Sequence, residues 1–396
     1  MSEYWEKKSL RDIDVSGKKV ILRVDYNVPL DENRNITNDN RIQESLPSIN
    51  YLQQHGAKII ILSHLGRPKG KINPAFSLQP VAKYLQKLLP QKVYFAPDCI
   101  GCEAQKIVSS MQPGEVLLLE NTRFYPNDEK NDTKFAKKLS SLGEVFVNDA
   151  FGAAHRDHAS LSTIATFLPA VSGLLMETEL SRLGKALSSP RHPFVAIIGG
   201  AKVADKIGVI ESLLQKVDKL LIGGGMAYTF LAAEGYHIQN SIVDESKLNW
   251  VYNLMQTPLA QKIILPIDLV AAEEMAPGAV HKVVAIDAIP KGWQGLDIGP
   301  ETSQVFTDII KDAKTIIWNG PLGVFEIEEF AAGTLAIANA IAEADAYSVV
   351  GGGDSVAALY KAGVQDKIDH ISTGGGASLK FLEGKKLPAV VALDDK

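Results

Sequence analysis

The chain has 396 residues, more than the roughly 250–300 at which a single hydrophobic core stops growing, so its length predicts two domains. With 46% hydrophobic and 22% charged residues it has the composition of a globular protein, and no apolar stretch approaches the ~18 residues of a membrane span. A net charge of −5 disfavours nucleic-acid binding, and the first residues, MSEYWEKKSLRDID, lack the apolar run of a secretory signal, so we expect a cytoplasmic protein.

Short apolar runs alternate with segments of helical periodicity, which is typical of βαβ units and parallel sheets. In the first half we predict strands at Lys19–Val24, Lys58–Leu62, Val93–Phe95, Val116–Leu119 and Val145–Asn148. In the second half we predict strands at Phe194–Ile198, Lys219–Ile222, Ile263–Leu265, Thr315–Trp318, Ser348–Val350 and His370–Ser372. The charged stretch Leu168–Lys185 predicts a linking helix. The fold class is therefore α/β, with two doubly wound, Rossmann-like parallel-sheet domains joined by a helix.

Two helix ends are also predicted from single residues. Ser77 is expected to cap a helix that has Pro80 in its first turn. Gly363 is expected to end the helix that follows Asp354.

Polar side chains of the first half follow the predicted strands where these strands end. Asp25 and Asn27 follow the first strand and alternate to the same side, so both can meet one ligand. The polar residues after later strands are Ser63, His64, Arg67, Arg123, Asn148, Asp149 and Arg156. Ligands of open parallel sheets bind at the carboxyl ends of strands, so these residues predict a functional edge. Taken singly, Asp25 and Asn27 also fit a simple turn, and His64 fits a structural role.

Arginine and glycine divide the chain between them. All nine arginines lie before residue 192, and every run of two or more glycines lies after residue 198. Arginine binds phosphate and carboxylate oxygens in bidentate fashion, whereas clustered glycines let backbone amides approach nucleotide phosphates. The first half is therefore predicted to bind a small anion and the second half a nucleotide, with the active site in a cleft between them. This is the outline of a two-substrate phosphotransferase.

The glycine runs of the second half each follow a predicted strand. In GGAKVADKI, residues 199–207, we expect a helix to open with Lys202 and Lys206 on one face as an anion site. In GGGDS, residues 351–355, Asp354 either caps a helix or holds Mg²⁺ bound to nucleotide phosphates. WNGPLGVFE, residues 318–326, suits a base and ribose pocket near Glu326. The chain contains no G-x-x-x-x-G-K-[ST], so it is not a P-loop enzyme.

Cys99 and Cys102 form a C-x-x-C pair. No second cysteine pair or spaced histidine pair accompanies them in the sequence, which disfavours a zinc site. Two reduced thiols are the simpler interpretation, and a redox pair is the alternative.

Eight segments resemble the serial motifs of the phosphoglycerate kinase family: KVILRVDYNVP, SHLGRP, ENTRF, NDAFGAAHRDHAS, GGAKVADKI, WNGPLGVFE, GGGDS and STGGGASLK. They occur in the family's order between residues 19 and 380. The resemblance implies reversible phosphoryl transfer between ATP and the carboxylate of 3-phosphoglycerate, giving ADP and 1,3-bisphosphoglycerate in glycolysis and gluconeogenesis. It further implies Mg²⁺, carried as MgATP or MgADP, and a monomer with no nucleic-acid or membrane partner.

The resemblance also implies domains and site residues. The domains are a phosphoglycerate-binding domain over 1–170, a hinge helix over 171–186, a Mg-nucleotide-binding domain over 187–379, and a tail from about 380 to 396 that packs on the first domain. The residues implied to bind the phosphoglycerate are Asp25, Tyr26, Asn27, Arg41, His64, Leu65, Gly66, Arg67, Arg123 and Arg156. Those implied to bind the nucleotide are Lys202, Lys206, Gly224, Gly295, Asn319, Pro321, Glu326, Gly352, Gly353, Asp354 and Ser355, with Asp354 as the metal ligand. The catalytic set is Arg41, Lys202, Lys206, Gly352 and Gly375.

A carboxylate acceptor is already ionised at neutral pH, so the implied reaction needs no general base. Catalysis is expected from positioning, from neutralising charge on the transferring group, and from domain closure. Lys380 and Thr178 depart from the family's usual Glu and Lys, which bears on domain coupling rather than on the reaction. Two alternatives are a kinase that phosphorylates another carboxylic acid and a binding protein that kept the fold without turnover.

Overall fold

The computed structural model describes residues 3–396 and divides the chain into two compact units. The first unit contains the residues up to Ser181 together with Lys386–Lys396, and the second contains Arg182–Lys385. The end of the chain thus belongs to the same unit as its beginning.

The first unit is built on a parallel sheet. Its strands are β1 (Lys19–Arg23), β2 (Lys58–Leu62), β3 (Val93–Ala96), β4 (Val116–Leu119), β5 (Val145–Asn148) and β6 (Ala170–Ser172). Within residues 3–396 these six strands lie in the order β3-β4-β2-β1-β5-β6, and every pairing is parallel. Strands β2, β3 and β4 lie on one side of β1 within the sheet, and β5 and β6 lie on its other side. The topology therefore reverses between β1 and β5.

Helices cover this sheet. They are α1 (Asn40–Gln54), α2 (Gln79–Leu88), α3 (Cys102–Ser110), α4 (Pro126–Glu129) and α5 (Thr133–Ser140). Helix α6 (Leu174–Ser188) begins in the first unit and ends in the second. Short 3₁₀ helices lie at Leu10–Asp12, Pro74–Phe76, Thr122–Phe124, Phe151–Ala153 and Thr163–Phe167.

Each face of the sheet has its own core because side chains alternate along a strand. Leu22 of β1 packs in a cluster with Ile49 and Leu52 of α1. The adjacent Ile21 packs in another cluster with Phe146 and Leu139. These side chains have no exposed surface, and burying one of this size contributes roughly 1.5–3 kcal/mol to folding.

The second unit contains a parallel sheet and a smaller antiparallel one. Its strands are β7 (Phe194–Ile198), β8 (Lys219–Ile222), β9 (Ile263–Ile264), β10 (Asp268–Ala272), β11 (His281–Ala285), β12 (Gln294–Ile298), β13 (Thr315–Asn319), β14 (Tyr347–Gly351) and β15 (His370–Ser372). In the described chain, six of them form a parallel sheet in the order β15-β14-β13-β7-β8-β9. Its topology reverses between β7 and β13.

The helices of the second unit follow the same alternation. They are α7 (Ile207–Leu214), α8 (Gly225–Ala233), α9 (Leu248–Met255), α10 (Pro300–Asp312), α11 (Ala332–Glu343), α12 (Gly353–Ala362) and α13 (Gly376–Leu382). Short 3₁₀ helices lie at Glu245–Lys247, Pro258–Lys262, Glu328–Phe330 and Gln365–Lys367, and α14 (Pro388–Val391) belongs to the tail of the first unit. No helix within residues 3–396 is long and apolar enough to cross a membrane.

The predicted α/β class with two parallel sheets is confirmed, but the antiparallel sheet was not predicted. Strands β10, β11 and β12 form it, in the order β11-β10-β12. Strand β11 is largely exposed, so it lacks the apolar run that marks a buried strand. Strand β12, with the sequence QGLDI, carries a glycine and a carboxylate inside the strand.

Two predictions about helix starts were wrong and one about a helix end is confirmed. The segment expected to be helical from Leu168 first forms β6, and α6 begins only at Leu174. Ser77 does not cap α2; Leu78 holds that position without a side-chain cap, while the Ser77 hydroxyl accepts a bond from the first helical amide, Gln79 N, at 3.2 Å. Gly363 does end α12, with φ of +70° in the left-handed region.

Candidate active site

Asp25 and Arg41 meet beyond the carboxyl end of β1. Arg41 lies in the first turn of α1, and its guanidinium nitrogen is 2.9 Å from a carboxylate oxygen of Asp25. The Asp25 side chain is 13% exposed and that of Arg41 is 40% exposed. The ion pair thus holds a guanidinium at the edge of the sheet and leaves much of it accessible to a ligand.

His64, which follows β2, is buried and neutral. A guanidinium nitrogen of Arg23 lies 3.2 Å from His64 Nδ1, and because a guanidinium can only donate, Nδ1 accepts and the proton resides on Nε2. Burial and the positive charges of Arg23, Arg123, Arg156 and Arg41 hold the pKa of His64 well below its usual value. Asp25 is 3.8 Å from Nδ1, too far for a hydrogen bond, so no ion pair with the neutral ring forms.

Four arginines contribute a positive potential at His64. Burial is the largest cause of its depressed pKa, and the charges of Arg23, Arg123, Arg156 and Arg41 lower it further. These charges favour a negatively charged ligand at this edge.

The loop after β2 is fixed by hydrogen bonds to its backbone. Gly66 N donates to Asn27 Oδ1 at 2.8 Å, and Arg123 donates to Gly66 O at 2.7 Å. Asn121 Nδ2 donates to Leu65 O at 2.7 Å. Gly66 has φ of +60°, and a Cβ there would lie 2.3 Å from the Phe76 ring, so only glycine fits.

Arg123 is buried against this loop, and burial lowers its pKa to about 10. Its Nε lies 3.3 Å from Glu129 but without hydrogen-bond geometry. Arg67 is exposed and Arg156 half-buried, and among residues 3–396 neither has a hydrogen-bonded or ion-paired partner for its guanidinium. Both are therefore free to bind an anion.

Tyr26 and Leu65 occupy a different environment from the other predicted residues. The Tyr26 ring is wholly buried in the core and its hydroxyl is 2.8 Å from Ser45 Oγ, while Leu65 is 4% exposed. Their side chains thus hold the loops in place, and only their backbone groups are left for a ligand.

Sequence reasoning missed Arg23. Its fully buried guanidinium bonds to Ser160 Oγ at 3.2 Å, to Val24 O and to His64. A charged residue inside the apolar strand KVILR was the available signal, because arginine is almost never fully buried without partners.

In the second unit a cavity of about 490 Å³ lies at the topological reversal between β7 and β13. Its lining consists of loop residues after the strands β7, β13 and β14, together with the start of α13: Gly199, Gly200, Ala201, Lys202, Asp205, Lys206, Asn319, Gly320, Pro321, Gly352, Gly353, Asp354, Ser355, Gly375 and Leu379. Most of the predicted nucleotide-binding and catalytic residues of this half therefore converge on one cavity.

Glycine is required where the loops after β7 and β13 cross. A Cβ at Gly199 would lie 2.1 Å from Pro321 O, and one at Gly320 would lie 2.2 Å from Gly199 O. Gly352, with φ of +95°, opens α12 without a side-chain cap. The first amides of α12 therefore remain available to phosphate oxygens, which helix N-termini favour.

Lys206 is held in the cavity, but not on a helix. The expected helix over GGAKVADKI begins only at Ile207, because Val203–Lys206 forms a turn closed by Lys206 N and Val203 O at 2.9 Å. The prediction that Lys202 and Lys206 share a helical face is therefore wrong, although both residues line the cavity. Lys206 Nζ donates to Asn319 Oδ1, and burial lowers its pKa to about 8 while Asp205 and Asp354 oppose the shift.

The carboxylates of the cavity suit magnesium that arrives with a nucleotide. The described residues contain no cluster of three or more His, Cys, Asp or Glu side chains able to cage a metal ion. Asp354, exposed in the first turn of α12, and Asp205 both line the cavity. Mg²⁺ commonly binds to one or two carboxylates plus substrate phosphates, so this donor set fits.

Gly224, Gly295 and Glu326 are not part of the cavity lining. Gly224 nevertheless abuts it, since a Cβ there would lie 2.8 Å from Gly200 N. Gly295 lies in β12 against Tyr228 and donates to Ser241 Oγ at 2.9 Å, and Glu326 is exposed. Asp205 was missed by sequence reasoning, since its only signal is its place between two candidate lysines.

Cys99 and Cys102 form no disulfide. Cys99 is buried with its thiol 2.8 Å from Glu120 O, and burial raises its pKa well above the usual range. A thiol in that environment is unreactive, which favours two reduced thiols over a redox pair.

Comparison with known proteins bears on the whole chain. The family model "Phosphoglycerate kinase" matches residues 10–385. The phosphoglycerate kinases of Moorella thermoacetica and Pelotomaculum thermopropionicum are each 54% identical over 392 residues, which are 98% of this chain and 100% of each relative.

Solved structures agree. A phosphoglycerate kinase from Coxiella burnetii superposes with a TM-score of 0.90 at 42% identity, and one from Pyrococcus horikoshii OT3 with a TM-score of 0.85 at 34% identity. Both comparisons cover 98% of each chain. The chain therefore belongs to the phosphoglycerate kinase family of phosphotransferases, whose reaction is glycolytic phosphoryl transfer between ATP and 3-phosphoglycerate.

Proposed function

We propose that the first unit binds 3-phosphoglycerate at the edge formed by Asp25, Asn27, Arg41 and His64. The assignment rests on the buried neutral His64, whose pKa is depressed by burial and, further, by the positive charges of four arginines. The Nε2–H of this ring and the guanidinium groups of Arg67, Arg123 and Arg156 are the donors for the anionic oxygens of the substrate. The Asp25 carboxylate accepts from its hydroxyl, and the Asn27 side-chain amide can donate to it or accept from it.

We assign nucleotide binding to the cavity of the second unit. Lys202 and Lys206 face the phosphates together with the first amides of α12, while Asp354 and Asp205 supply oxygen ligands for the Mg²⁺ that the nucleotide carries. Glu326 and the strand that carries Gly295 are proposed to bind the ribose and base.

The proposed chemistry relies on charge and position. The acceptor carboxylate, with a pKa near 3.5, is ionised at neutral pH, so no residue has to remove a proton from it. Arg41, supplied by the first unit, and Lys206, supplied by the second, would neutralise charge on the transferring phosphoryl group. Because the two substrates are bound by different units, transfer requires them to be brought together with exclusion of water, and we assign the hinge to α6.

We further propose a cytoplasmic monomer. Acceptor and donor sites are both supplied by one chain, so no second copy is needed to complete them. Light scattering during gel filtration tests this: a mass near 42.9 kDa is expected, and a mass near twice that value would contradict it.

The reaction and its acceptor are tested together by trapping the acyl phosphate. Purified protein is incubated with MgATP and 3-phosphoglycerate, glycerate or acetate, and the product is captured with hydroxylamine. Hydroxamate is expected only with 3-phosphoglycerate, because the arginines need the substrate's own phosphate. Equal signal with glycerate would assign the protein to another carboxylic acid. No signal from folded protein that binds MgATP would indicate a fold kept without turnover.

A further inference from the structure

A second cavity in the first unit has no part in the site described above. It has a volume of about 420 Å³ and lies between the turn at residues 33–36 and helix α2. Three cationic side chains line it, Arg34, Lys83 and Lys87, together with the amides of Asn33 and Asn35. None of these residues belongs to the acceptor or nucleotide sites.

The cations of this cavity are not neutralised by the protein. Among residues 3–396 no ion pair involves Arg34, Lys83 or Lys87, and no carboxylate lines the cavity. Lys83 and Lys87 are spaced i, i+4 on α2, where like charges repel each other across one helical turn. An anion bound between them would relieve that repulsion.

The acidic residues beside the cavity are engaged elsewhere. The Asp31 carboxylate accepts from the backbone and side-chain nitrogens of Asn35 at 2.7 and 3.0 Å. Asp39 accepts from the hydroxyl of Tyr84 and from Gln43, both at 2.7 Å. Because Asn35 and Tyr84 line the cavity, both carboxylates lie beside it, but among the described residues neither forms an ion pair with Arg34, Lys83 or Lys87.

Arg34 is held in an uncommon conformation. Its φ is +63°, in the left-handed region that non-glycine residues seldom adopt. The turn is closed by Arg34 N bonding to Asp31 O and Asp31 N bonding to Asn35 O, both at 2.9 Å. The buried Nε of Arg34 has no hydrogen-bond partner, and one terminal nitrogen reaches Ser77 O at a long 3.4 Å. An arginine with an unsatisfied buried donor thus lies at the wall of the cavity.

The direction of α2 adds to the positive potential. Gln79 and Pro80, in the first turn of this ten-residue helix, also line the cavity. The N-terminus of a helix carries partial positive charge, which attracts an anion. Here the Glu120 carboxylate, which accepts from Leu78 N at 2.9 Å, offsets part of that charge.

We propose that this cavity, the α2 anion site, binds a small molecule that carries two phosphoryl groups. Three separate cations exceed the need of one phosphate, and the cavity is of the size of small-ligand pockets, which begin at about 300 Å³. The exposed lysines make the contact salt-sensitive.

The test is equilibrium dialysis of labelled fructose 1,6-bisphosphate at low salt, with the protein saturated by 3-phosphoglycerate and MgADP. One further site per chain is expected. Lys83→Gln/Lys87→Gln should weaken binding about tenfold, since two exposed charge contacts are lost. Arg34→Gly removes the guanidinium while suiting the positive φ, and should weaken binding about threefold.

The matched control is Lys134→Gln/Lys138→Gln. These lysines have the same spacing and exposure on α5, so the change in net charge is identical, and unchanged affinity is expected. Absence of a further site in the wild-type chain would overturn the proposal. So would equal weakening by the control pair, or displacement of the bisphosphate by an equal concentration of orthophosphate.

Discussion

His64 and Lys206 are the residues whose pKa values are most informative about the two proposed sites. In both cases burial lowers the pKa, and in His64 four arginines lower it further. His64 thereby becomes a neutral donor with a defined tautomer, whereas Lys206, with a pKa of about 8, stays mostly protonated at neutral pH. Both residues can therefore bind an anion. His64 does so as a neutral hydrogen-bond donor among arginines, and Lys206 does so through its own positive charge.

Arg41→Ala should lower kcat about a thousandfold, as removal of an arginine that stabilises phosphoryl charge can. Steady-state kinetics measures the effect, with the exposed Arg191→Ala as the control expected to leave kcat unchanged. A loss of less than tenfold in the Arg41 variant would remove this residue from the catalytic set.

Lys206 predicts a pH dependence of nucleotide binding. Its pKa in the folded protein is lowered to about 8 from 10.5, so the free protein loses this positive charge as the pH rises through 8. The affinity for MgADP, measured by calorimetry between pH 7 and pH 9.5, should therefore fall above pH 8. Lys206→Arg keeps its charge over this range and should abolish the fall. The same decline in both proteins would assign it to another group.

The loops after β7 and β13 form a wall of the cavity in the second unit because two glycines let them cross. Their strands are buried apolar neighbours, so the sheet determines where these loops start. The backbone contact between Gly199 and Gly320 then determines how near they come.

Gly320→Ala should weaken MgADP binding at least tenfold, since the new Cβ would meet Gly199 O at 2.2 Å and the loops must separate. Gly363→Ala is the control: its φ is +70° but nothing lies within 4 Å of the added Cβ. This control shares the cost of a left-handed conformation, about 1–2 kcal/mol, without the overlap. Equal MgADP affinity of the two variants would contradict the role of the crossing.

The sequence predicted the elements that depend on local patterns. Buried runs such as KIIIL mark strands directly, and polar residues after them mark the functional edges. The contact of Arg23 with His64 could not be predicted, because it joins neighbouring strands 41 positions apart in the chain. The turn at Val203–Lys206 also escaped prediction, since no proline or glycine interrupts AKVADKI where the helix was expected to start.

The first unit includes Lys386–Lys396, far along the chain from the rest of that unit. Lys7 Nζ, buried near the start, bonds to Leu393 O at 2.8 Å and to Asp395 at 2.5 Å. Leu393 itself is 3% exposed and belongs to the core cluster that contains Ile21. The first unit can therefore complete its core only after residues Lys386–Lys396 have been synthesised.

Leu393→Ala should lower the free energy of unfolding of the first unit by about 2–5 kcal/mol, the usual cost of a cavity in a core. Val391→Ala, at a position that is 48% exposed, should change it by less than about 0.5 kcal/mol. Urea unfolding followed by circular dichroism compares the two. Equal shifts of the midpoint would show that the tail does not contribute to the core.

The two substrates are proposed to bind at two separate sites, one in each unit, and titration calorimetry with two variants tests this assignment. Asp354→Ala should weaken MgADP binding about tenfold or more and leave 3-phosphoglycerate affinity within about twofold. Arg156→Ala should do the reverse, because its unpaired guanidinium is proposed to bind the acceptor. Such opposite losses would support the assignment of the units. If both variants weakened the same ligand, or if Asp354→Ala reduced only 3-phosphoglycerate binding, the assignment would be wrong.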